Sequence, residues 1–79
     1  MIKLKNIRID GSEITCAAFV EDCPEAINVS IGVVTDMFRH DPLPIAYSWC
    51  KHHMRQAEKA LRHMMKTGNV LKEKTIMWY

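Results

Sequence analysis

The densest run of chemistry-capable side chains in this 79-residue chain is Cys50-Lys51-His52-His53. Cys50 and His53 are three residues apart. On a helix they would share a face, as two zinc ligands must. A structural zinc site needs two more ligands. Cys23 and His40 are the nearest candidates, and both fall in segments that read as loops and would have to swing over. His52 and His63 are eleven residues apart, about three helical turns, too far to chelate one ion directly. The same run holds the one candidate for a cysteine nucleophile, with His53 as the base and lysines to favour the thiolate. The simpler expectation is that Cys50 packs as a small hydrophobe while His53 is partly buried and hydrogen-bonded. No catalytic residue, metal or cofactor is assigned.

Other chemistries lack their parts. There is no glycine-rich phosphate loop and no Gly-x-Ser-x-Gly elbow. The acids cluster in turn-like segments, not as a pair in contrasting environments. Gly11, Gly32 and Gly68 are accounted for by a turn, a strand and a helix end. Three cysteines is an odd count, which argues against a disulfide framework and for reduced thiols. No small-molecule site is evident.

Charge is the more informative signal. Residues 1–50 carry a net −3 and residues 51–79 a net +5. On a helical wheel, Lys51, Arg55, Lys59, Arg62 and Lys66 fall within roughly 80° of one another. Cys50, Met54, Ala57, Leu61, Met64 and Met65, joined by Ala46 and Tyr47, occupy a separate apolar arc of roughly 100°. An arc this wide is a core-facing stripe and not a coiled-coil seam. The cationic arc is either a solvated helix back, matched by the acidic half of the fold, or a docking face for something anionic. Trp49 sits at the rim of the apolar arc, where it caps the core or anchors a partner.

The elements that would position these faces follow from periodicity. Alternation marks strands over about 2–9, 13–20 and 26–34. In the first, Ile2 and Leu4 are out of phase with Ile7 and Ile9, and a bulge near Lys5-Asn6 would reconcile them. Asp10-Gly11 reads as the centre of a tight hairpin turn, which would set Arg8 opposite Glu13. Thr35 to Pro44 reads as a loop. A helix is expected over about 44–66, opened by Pro42 or Pro44 and closed by Gly68. A last strand is expected over about 70–78, parallel to the first.

The sum is a single α+β domain over residues 1–79 of order β-β-β-α-β. An antiparallel meander would carry one long amphipathic helix on one face, with strand order 3-2-1-4. The third strand would then be an unprotected edge, which invites a homodimer. No apolar run approaches the roughly 20 residues of a membrane span, and the alternating start does not read as a targeting segment. Cytoplasmic location is expected. The function expected is a small non-enzymatic binding module that docks a protein partner or self-associates. The alternative is nucleic-acid or polyanion binding along Lys51, Arg55, Lys59, Arg62 and Lys66. A zinc- or cysteine-based activity ranks third.

Overall fold

The computed structural model describes residues 1–78. The chain forms β1 (Ile2–Asp10), β2 (Glu13–Val20), β3 (Ile27–Gly32), β4 (Phe38–His40), a 3-10 turn (Ile45–Tyr47), α1 (Lys51–Thr67) and β5 (Lys74–Ile76). The strands make one sheet of order β4-β3-β2-β1-β5. Every neighbouring pair is antiparallel, and α1 packs over β1, β2 and β3. The expected α+β class, with one antiparallel sheet and one helix on one face, is what the chain adopts.

Period-2 patterning gives the sheet one apolar side. Ile2, Leu4 and Ile7 of β1, Ile14, Cys16, Ala18 and Val20 of β2, and Ile27, Val29 and Ile31 of β3 are all buried. The phase slip in β1 is resolved by a bulge between Lys5 and Arg8. Asn6 takes a left-handed φ of 54° there, a conformation asparagine tolerates better than most residues. The bulge is what lets Ile7 share a side with Ile2 and Leu4.

The hairpin differs from expectation by one residue. Asp10 pairs with Glu13 and Ile9 with Ile14, so Gly11-Ser12 is the turn and Arg8 faces Thr15 instead of Glu13. Gly11 has φ 62°, while neither Asp10 nor Ser12 has a positive φ. A turn with glycine first needs only one such residue, unlike the type expected from Asp-Gly. Glu13 finds its cation elsewhere, in an ion pair with Arg39 of β4.

The larger correction is β4. Within residues 35–44, expected to be a loop, Phe38–His40 return as a short strand on the outside of β3. Asp41 helps hold it, accepting from the Asn28 side-chain amide at 3.0 Å. Three consequences follow. β3 is internal, so the proposed dimer edge does not exist. The chain now reaches α1 from the opposite end of the sheet. For that reason β5 runs antiparallel to β1, not parallel through a crossover, and spans only Lys74–Ile76.

The helix begins later than expected. Pro44 is extended (ψ 148°), and residues 45–50 close 3-10 bonds, Tyr47 N–H to the Pro44 carbonyl at 2.8 Å and Cys50 N–H to Tyr47 at 2.9 Å. Ala46, assigned to the apolar arc on a continuous helix, is exposed as a result. From Lys51 onward the wheel holds. Met54, Ala57, Leu61 and Met64 are buried, as is Cys50 just before the first turn. Gly68 ends the helix at φ 74°, its N–H on the Met64 carbonyl at 2.8 Å.

Two substitutions test this packing. Leu61→Ala should lower unfolding free energy by about 2–5 kcal/mol in urea titration, through lost burial and the cavity left behind. A Cβ at Gly68 would meet nothing within 4 Å, so Gly68→Ala should cost only the left-handed conformational penalty, about 1 kcal/mol.

Candidate functional site: a cationic face on the helix

The five cations singled out from the wheel lie outward on α1, but they are not equivalent. Arg62 is taken up. It forms an ion pair with Asp36, donates from Nη2 to the Asp36 carbonyl at 3.2 Å, and donates from Nε to Glu58 at 2.9 Å. The Glu58 hydrogen bond, followed by Asp36, holds its guanidinium further toward the charged form. This strap crosses from α1 to the turn after β3, so the acidic half of the chain does reach the basic half at one point. Lys51, Arg55, Lys59 and Lys66 are exposed and form no ion pair or hydrogen bond among the described residues.

Beside the stripe lies a groove that helix periodicity alone does not disclose. Gln56, Lys59, Ala60, Arg62, His63 and Lys66 form one wall and Lys74 and Ile76 of β5 the other, around a concavity of about 420 Å³. Lys74 pairs laterally with buried Leu4 and Ile76 with buried Ile2, so both point to the helix side of the sheet. No carboxylate lines this groove. Lys74 and His63 were missed at the sequence level. The available signals were the alternation of Lys74 with Ile76 and the spacing of His63 from Lys59 by one helical turn.

Trp49 precedes the helix proper and is 63 % exposed. Its indole N–H donates to the Ala46 carbonyl at 3.1 Å, and its ring meets His53 edge-on at 5.6 Å. Ile45, four residues earlier in the chain, is 94 % exposed. His53 itself is only 5 % exposed. Its Nε2 lies 3.0 Å from Glu21 Oε2, and Trp78 packs edge-on at 4.8 Å. Glu21 also pairs with the Met1 amine. This cluster clasps the end of β2, the start of α1 and the segment after β5. His53 is thus buried and hydrogen-bonded, as the simpler expectation had it.

Among the described residues no group of three His, Cys, Asp or Glu side chains could hold a metal ion. His40 sits on β4 with Nδ1 2.7 Å from the Asp41 carbonyl oxygen, and Cys23 Sγ faces the Glu25 carbonyl. All three cysteines are free and buried. Burial, followed by the charge of Glu21, pushes the Cys50 thiol up, away from the thiolate a nucleophile needs. Burial likewise raises Cys16 to about 12, with Arg8 opposing. The Tyr47 hydroxyl, donating to Asp22 at 2.8 Å, is also raised to about 12. No helix among the described residues is long and apolar enough to cross a membrane.

The chain matches no protein-family model, no curated protein and no solved structure.

The thiol environment sets the alkaline behaviour. Above pH 9 an unfolded chain releases thiol protons that the native state retains, so native stability should fall as pH rises from 9 toward 12. Urea midpoints measured across that range should decline in the wild type. Cys16→Ala should make the decline shallower by up to about 1.4 kcal/mol per pH unit.

Proposed function

We propose that this chain is a small non-enzymatic binding module that docks an acidic surface of a protein partner against the outer face of α1. One observation carries the proposal: Lys51, Arg55, Lys59 and Lys66 lie on one exposed arc with no acidic partner among the described residues. Isolated surface cations are ordinary. Four that share an arc repel one another, and an anionic partner relieves that repulsion as well as adding its own attraction. Trp49 and Ile45, both exposed near the start of α1, offer apolar anchors of the kind that carry binding energy beside a charged rim.

A nucleic-acid backbone presents the same charge to the same face and is the second reading. It is less favoured because the stripe offers few aromatics on which bases could stack and no recognisable reading motif. β4 occupies the outer edge of β3, so that edge is not open for self-association.

Poly-L-glutamate and an oligothymidylate of similar charge, titrated at low and moderate salt, separate these readings. The wild type should bind polyglutamate with an affinity that falls as salt rises. Lys51→Glu combined with Lys59→Glu should weaken that binding about tenfold or more while leaving the circular dichroism spectrum unchanged. Tighter binding of the oligothymidylate would transfer the site to nucleic acid. No binding of either polymer at low salt would remove the function from this face.

A further inference from the structure

We infer that the groove between α1 and β5 receives an extended acidic peptide segment, which adds as a sixth strand to the outer edge of β5. The inference rests on the protein-docking reading of the α1 face and specifies how the partner is held.

β5 is the last strand of the sheet on this side, and its outer edge meets no further strand among the described residues. An edge strand presents backbone N–H and C=O groups that an incoming extended chain can pair with. What distinguishes this edge from β4, at the other end, is its surroundings. α1 packs mainly over β1, β2 and β3, so β5 lies beside the helix and the space between them is open. A segment paired to β5 would project alternate side chains into that space.

The walls then specify which side chains fit. Lys74 and Ile76 are two apart on the strand and both face the groove. A paired segment therefore meets a cation at one groove-facing position and an apolar surface at the next. Across the groove, Lys59 and Lys66 are exposed and cationic, and Ala60 between them is buried. The matching ligand alternates carboxylate and aliphatic side chains at every second residue, with the intervening residues on the opposite side of the sheet. An oligonucleotide satisfies the charges but supplies no strand edge, and the groove offers its bases only the His63 ring among the described residues. Charge complementarity and the unpaired edge together favour peptide.

The test uses the full chain and a capped synthetic peptide of the repeat glutamate–serine–valine–serine, which places glutamate and valine alternately on one face. Its partner probe is the same peptide with backbone N-methylation at alternate residues, which blocks strand pairing and leaves charge intact. An oligothymidylate serves as the third probe. Binding is read by amide chemical shifts. The repeat peptide should bind at low salt and shift the amides of Lys74, Thr75 and Ile76 together with signals of Lys59 and Lys66. N-methylation should weaken it about tenfold, as the loss of two hydrogen bonds would. Lys74→Glu should weaken it by a similar factor at unchanged fold.

Equal binding of the methylated peptide, with the β5 amides unmoved, would overturn strand addition while leaving charge-driven docking on α1 intact. Preferential binding of the oligothymidylate would overturn it in favour of nucleic acid. If no probe binds at low salt, strand addition and docking on α1 fall together.

Discussion

The contact on which this domain depends is that between one seventeen-residue helix and the single apolar side of a five-stranded sheet, and their widths do not match. Five strands set about 4.8 Å apart span about 19 Å between the outermost pair. A helix with its side chains is only about 10–12 Å across. α1 covers the three strands that carry the long apolar runs, and the sheet extends past it on both sides. On the β4 side, Phe38 and Leu43 fill part of the margin as half-buried residues packed on the core. On the β5 side the margin is the groove walled by Lys59, Lys66, Lys74 and Ile76. The groove is thus a consequence of how wide the sheet is.

The same contact dictates the electrostatics. Burying Met54, Ala57, Leu61 and Met64 leaves α1 no rotational freedom, so its cations must face away from the sheet. Only the turn after β3 rises far enough to meet one of them, through Asp36 and Arg62. Glu13, Glu21 and Asp41 are engaged on the sheet or at its ends, with Arg39, His53 and Asn28. Intramolecular neutralisation therefore stops at Arg62. The other cations of the stripe hold an unbalanced field over one side of the molecule.

The His53 cluster closes the remaining end of the fold. A buried imidazole between two tryptophan rings, hydrogen-bonded to Glu21, joins segments far apart in sequence. Its Nδ1 has no hydrogen-bond partner among the described residues. The ring is held by packing and by one hydrogen bond to a carboxylate.

Local pattern was sufficient for the parts governed by nearest neighbours along the chain. The three long strands, the bulge at Asn6, the termination at Gly68 and the two faces of α1 beyond Lys51 all follow from period and from backbone tolerance. The stripe of cations was legible for the same reason. Three residues at 38–40 were not, because a strand that short has no period to detect and exists only because β3 offers it an edge. That omission reversed the direction in which the chain enters α1, and with it the orientation of β5. The turn at Gly11-Ser12 slipped by one residue because ladder pairing, not dipeptide preference, chose the register. What the sequence by itself determined is which side chains are hidden and which are displayed, since that depends on spacing. Only the tertiary structure decided which displayed charges are neutralised and where a groove remains. Those depend on which strands lie side by side and how far a single helix can reach across them.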